Sequence, residues 1–178
     1  MAAENVLTGL GLDLDDFSPV YLSFAETTSA LKDGTIDAGF VVGGLGLAAV
    51  TELAVTRDMR LVALSEAELA TLGRQFPAYS GYIIPGGTYS GVTADTRALG
   101  IWSAVVVHES MPEQLAFELA CTLFQHREAL LSVSPVARDM TVSNLDKLAA
   151  VPLHPGTERY RQAVLTGAGK VACVDVND

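Results

Sequence analysis

The stretch FAETTSALKDGTIDAGFVV, residues 24–42, constrains the fold more than any other part of this chain. Phe24, Thr28 and Leu31 recur at helical spacing, and Gly34 stands where a C-cap glycine belongs. The apolar run IDAGFVV after it predicts a buried strand. A helix feeding a strand through one tight turn is half of an α/β repeat. The pattern then returns, with LGLAAVTELAVT as a second helix and MRLVALS as a second strand. The fold class expected from this alternation is α/β.

Further along, Ser65 and Glu68 fit a capping box, and Leu69, Leu72 and Phe76 form an apolar stripe that Pro77 ends. YSGYIIP predicts a short extended segment, GGTYSG a loop, and Leu99 to Val107 another strand. Ser110 and Glu113 form a second capping box, with Pro112 tolerable in a first helical turn. They introduce one long helix, PEQLAFELACTLFQHREALL, whose broad buried surface comprises Leu115, Phe117, Leu119, Ala120, Leu123 and Phe124. Shorter helices follow in SPVARDM and SNLDKLAAV, and TERYRQAV is the last, with Thr157 as its cap.

Composition enters where it excludes functions. The 21 acidic and 11 basic side chains leave a formal charge of −10, which argues against nucleic acid or an anionic membrane surface as partner. The longest apolar runs, AGFVVGGLGLAAV and IWSAVVV, fall short of the roughly 18 residues a spanning helix needs. The N-terminus has no basic flank and no long apolar core, so it does not read as a signal peptide. With 178 residues, 49% of them hydrophobic, the chain can bury one sizeable core or two small ones. The pattern shifts near residues 85–97, from strands alternating with short helices to a mostly helical tail. Cys121 and Cys173 can pair, but two cysteines do not make a disulfide framework, and the plainer reading is two free thiols with Cys121 buried on a helix.

Few residues invite chemistry. His108, His126 and His154 lie far apart and fit no metal-ligand spacing, and no nucleophile and base can be matched, so neither metal nor cofactor is expected. LDLDDF, residues 12–17, lacks the glycine and terminal glutamate of a calcium loop and reads as a solvated turn. His154 stands between Pro152 and Pro155, which suits a structural histidine holding a neighbouring loop. Gly43, Gly44 and Gly46 fit no nucleotide-binding motif. At the carboxyl end of a predicted strand they either allow tight packing of helix on sheet or let a small ligand approach the backbone. Thr88 and Tyr89, in the loop IIPGGTYSG, can place a hydroxyl and an aromatic face over a cleft, with Tyr79 flanking it.

Taken in order, AENVLTGLGL, LSFAETTSALKDGTIDAGFVVGG, YIIPGGTYSG, LAFELACTLFQHREAL and VPLHPGTERY make the chain resemble a family. It is similar to the solute-binding receptors of the tripartite ATP-independent periplasmic (TRAP) transporters, in their extracytoplasmic immunogenic-protein (TAXI) class. The resemblance covers about residues 4–161. Ile36, Asp37 and Ala38 match the family's strand signature, and Gly43-Gly44 its turn facing the cleft. Ile84, Pro85 and Tyr89 match I-P-x-x-x-Y, and Leu153, His154, Pro155 and Gly156 match L-H-P-G. Gly46 stands where a proline is usual, Ala116-Phe117 replace a frequent Val-Tyr pair, and Thr157 and Arg161 replace an alanine and an aromatic.

The resemblance implies a type II periplasmic-binding-protein-like fold, present in part: the second lobe plus the segment returning to the first, without the N-terminal part of the family's longer chains. Residues 1–90 would be the α/β lobe lining the cleft, and residues 91–178 the crossover strand and helical return segment. It also implies a periplasmic receptor, not an enzyme, that captures a small organic anion or amino acid and delivers it to the transporter's membrane permease subunits. Gly43, Gly44, Tyr79, Thr88 and Tyr89 would face the ligand. Apolar faces left bare by the missing part would favour self-association. Two other classes remain open: an enzyme on a related scaffold pairing His154 with Asp37 in acid–base chemistry, and an effector-sensing regulatory module.

Overall fold

The computed structural model describes residues 2–147, 151–167 and 173. Two compact units divide the chain, residues 1–101 and 102–178. Half of the described residues are helical and 7% are in strands, which form one two-stranded sheet. The expected α/β, type II periplasmic-binding-protein-like fold is therefore corrected to a mainly helical one. The reason lies in pairing. An apolar run disposes the backbone toward a strand, but a strand exists only where a neighbour takes its N–H and C=O groups. Residues 36–42, read as a buried strand, residues 59–65, read as a second strand, and residues 102–107 of the strand expected over 99–107 lie outside any ladder, and Phe40, Val42, Val62, Val105 and Val106 on them are exposed; Leu99–Ile101 do pair, in the second strand of the sheet. From these segments Leu64 N–H does reach the sheet, donating to Arg97 O at 3.0 Å.

The first unit contains helices α1 (Ala2–Gly9), α2 (Phe24–Asp33), α3 (Ala48–Thr56) and α4 (Glu66–Gln75), then strands β1 (Tyr79–Ile84) and β2 (Thr96–Ile101). Helix α2 packs on α3, and α4 on both α1 and β1. Ser23 caps α2 and Ser65 caps α4, each in a full capping box with Glu26 or Glu68 returning to the cap N–H. The Ser65 box follows from the sequence; the Ser23 box carries the same S-x-x-E signature. Gly34 ends α2 in the left-handed region (φ 72°), its N–H reaching the Ala30 and Leu31 carbonyls. Strands β1 and β2 run antiparallel, with Tyr79 opposite Ile101 and Ile84 opposite Thr96. Leu72, fully buried, anchors the apolar face of α4. Asp13 accepts from Asp15 N–H and caps a short 3-10 turn, Leu14–Asp16, as a solvated turn would.

The second unit contains α5 (Glu113–Gln125), α6 (Arg127–Val133), 3-10 turns at Pro135–Asp139 and Val142–Lys147, and α7 (Pro155–Leu165). The single long helix expected from residue 112 onward is broken at His126, which ends α5 and begins α6. Beyond the break Arg127 reaches back to the Arg138 carbonyl at 2.7 Å, so α6 folds against the following 3-10 turn. The second capping box is also absent: Pro112 holds the N-cap position, and Ser110 instead turns to the His108 ring, its N–H donating to Nδ1 at 3.1 Å. Leu115, placed on the buried surface from the sequence, is 50% exposed.

The main core of this unit is a cluster around Tyr160. Ala120, Cys121 and Tyr160 are buried, with Phe117, Phe124, Val142 and Cys173 packed on them. The Tyr160 ring stacks on Phe124 (5.4 Å between centroids) and meets Phe117 edge-on (5.8 Å). Cys121 and Cys173 form a disulfide with Cα atoms 5.6 Å apart. This corrects the reading of two free thiols: a spacing of 52 residues hides a pairing that only the packing reveals.

Candidate functional site

The candidate ligand-facing residues lie in three places of the first unit. Gly43 and Gly44 belong to the connection between α2 and α3. A Cβ at Gly43 would meet only the Leu47 side chain, at 3.5 Å or more, so packing does not demand glycine there. Thr88 and Tyr89 lie in the connection between β1 and β2. That loop is closed by its own hydrogen bonds: Thr88 Oγ1 donates to Pro85 O (2.7 Å), Gly87 N–H to Val92 O (2.7 Å) and Gly86 N–H to the Asp95 carboxylate (2.9 Å). Tyr89 is buried within the unit. Tyr79 opens β1, its hydroxyl accepting from Asn5 Nδ2 of α1 (3.1 Å) and its ring leaning on Phe76 (5.5 Å).

A recess of about 120 Å³ opens between α2 and α3. Its lining includes the apolar Ala25, Ala49 and Leu53 and the charged Lys32 and Glu52. None of the five candidate residues lines it. Ligand pockets typically hold roughly 300–1,000 Å³, so this recess is too small to enclose a drug-sized solute.

His154 has a structural task. It is the N-cap of α7, its Nδ1 accepting from Gly156 N–H at 3.2 Å, in place of the Thr157 cap expected from the sequence. The helix starts earlier because Pro155 supplies a first-turn φ and needs no N–H partner. Gly156 explains the rest of the motif. A Cβ there would run into the Glu113 carbonyl oxygen and lie 2.8 Å from Phe117 N, so α7 can approach the backbone of α5 only through glycine. Across the same contact Arg159 pairs with Glu113 (2.8 Å), donates to Gln114 (2.7 Å) and lies over the Phe117 ring (4.6 Å). The L-H-P-G element thus joins two helices, an assignment hidden from the sequence because it depends on a neighbour some 40 positions upstream.

Among the described residues no three His, Cys, Asp or Glu side chains gather as metal ligands. No described helix is long and apolar enough to cross a membrane. Residues 1–162 match the model of the NMT1-like family, and the chain belongs to that family. The family is of the solute-binding type, and its members are non-catalytic binding proteins. This chain is accordingly a binding protein and not an enzyme, and the acid–base role considered for His154 falls away.

Proposed function

We propose that the chain acts as a TAXI-class receptor of a TRAP transporter, capturing a small organic anion or amino acid outside the cytoplasm for the transporter's membrane permease subunits. The family match across residues 1–162 carries this reading. In it Gly43 and Gly44 bring backbone close to the solute, and Thr88, Tyr89 and Tyr79 supply a hydroxyl and aromatic surface around it. A capture protein needs a shaped pocket with a few convergent polar groups, and no nucleophile. The charge of −10 does not oppose this role, because a solute is held by local hydrogen bonds rather than by net charge.

The test is isothermal calorimetry and thermal-shift screening of the purified chain against carboxylates and amino acids. A saturable heat with one solute class, weakened at least about 10-fold by Gly43→Val, supports the reading; a tenfold loss corresponds to about 1.4 kcal/mol. Silence across the whole panel overturns it.

A further inference from the structure

We propose that the Cys121–Cys173 bond is a shielded clasp, closed by a thiol–disulfide oxidant during folding and reopened by thiol reductants only when the second unit unfolds. Cys121 has no solvent exposure and is buried in one cluster with Ala120 and Tyr160, against which Phe117, Phe124 and Val142 pack. Cys173 is half-buried against the same cluster. In the folded unit a reductant could therefore attack only the sulfur of Cys173, and the step that must follow is the one the packing opposes.

Thiol–disulfide exchange then requires the other sulfur to leave. The attacking thiolate forms a mixed disulfide with Cys173, the bond between the two cysteines breaks, and its electron pair departs on Cys121 Sγ. That thiolate would form among apolar side chains, where desolvation disfavours charge and slows its departure. The same surroundings push the Tyr160 hydroxyl above its usual pKa through burial. Closure faces no such obstacle in an unpacked chain. The two thiols give up two protons and two electrons to an oxidised dithiol, which is released as its reduced form.

The clasp also has a conformational role. Helix α5 carries one sulfur, and the chain must pass through α7 before it returns with the other. The bond ties residue 173 to the face of α5 that Tyr160 covers, so the cluster is held by packing and by a covalent link together.

The experiment uses the whole chain, purified without reductant. Maleimide labelling in guanidinium should find no free thiol, and two labelled thiols would overturn the proposal. Reduction by dithiothreitol, followed by mass shift, should be at least about 100-fold slower under native conditions than in guanidinium, because it must await an opening of the unit. Rates within about 3-fold of each other would overturn the shielding. Phe124→Ala, which removes part of the lining, should speed native reduction about 10-fold or more while leaving the rate in guanidinium unchanged. An unchanged native rate in a folded variant would overturn it as well. Should Phe124→Ala fail to fold, Val142→Ala makes a smaller opening in the same lining, and a faster native rate is again required of it.

Discussion

The two units are held together by different means. In the second, Ala120, Cys121 and Tyr160 are buried as one cluster, and the disulfide, a glycine-mediated helix contact and Arg159 all lie at or beside it. In the first, buried residues such as Thr27, Leu53, Leu72, Tyr89 and Thr96 are distributed over several elements, and helix ends are secured locally by capping boxes. A convergent core concentrates its dependence on a few residues, whereas a distributed one spreads it over many small terms. Single substitutions should therefore hurt the second unit most.

The largest effect is expected from Tyr160→Ala. Excising a buried ring that contacts Phe117 and Phe124 should cost about 3–5 kcal/mol, read as lost hydrogen-exchange protection in α5 and α7 with the first unit little changed. An equal loss in both units would break the contrast drawn above. Gly156→Ala comes next, at about 3 kcal/mol, because its methyl group meets backbone of α5 that cannot move aside as a side chain would. A melting temperature within a degree of the parent would show that α7 can tilt away from α5 freely.

Smaller effects should appear in the first unit. Ser65→Ala should cost about 1 kcal/mol, read as local loss of exchange protection in the first turn of α4. Acid should act in the same direction. Hydrogen bonds from the Ser65 side chain and backbone hold the Glu68 carboxyl below its ordinary 4.5, and Ser23 does the same for Glu26. A lowered folded pKa stabilises above the ordinary value, and that contribution is lost as pH falls through the lowered one. Tyr160 behaves oppositely. Its raised pKa contributes stability below the ordinary 10.0, lost as pH rises through the higher folded value. Circular dichroism with exchange readout should thus find α2 and α4 fraying first below pH 4.5, and the α5–α7 pair loosening first above pH 10. The reverse order would contradict the assignment of these groups. The smallest effect on stability is expected from Gly43→Ala, within about 0.5 kcal/mol, since only Leu47 methyls lie near the new carbon. A clear fall in solute affinity with unchanged stability would sharpen the ligand-facing role of this turn.

What could be read from the sequence was the part determined by near neighbours. The Gly34 stop, the Ser65–Glu68 box and the stripe of Leu69, Leu72 and Phe76 all act within one or two helical turns, and all appear in the structure. The strands over 36–42 and 59–65, and the part of the 99–107 strand beyond Ile101, failed because residue type cannot supply a pairing partner. The break at His126 has no proline or glycine to announce it and goes with tertiary contacts of α6. The disulfide and the role of Gly156 were hidden for the same reason, since each depends on a distant segment of chain. Among the candidate site residues, the sequence located the loops, while the hydrogen bond between Tyr79 and Asn5 and the burial of Tyr89 emerged only in three dimensions.

The contact between α5 and α7 has a mechanical consequence. Packed helices often slide past one another, by small shears or by a full turn of about 5.4 Å. Here such a slide is blocked in both directions. Moving α7 one turn would bring Arg159 or Tyr160, or in the other direction Leu153 or Pro152, to the place where α5 admits only the hydrogen of Gly156. It would also pull the guanidinium away from Glu113, Gln114 and the Phe117 face together. Helices α5 and α7 must therefore move as one lever, and any bending the second unit undergoes has to be absorbed at its joints, such as the break at His126.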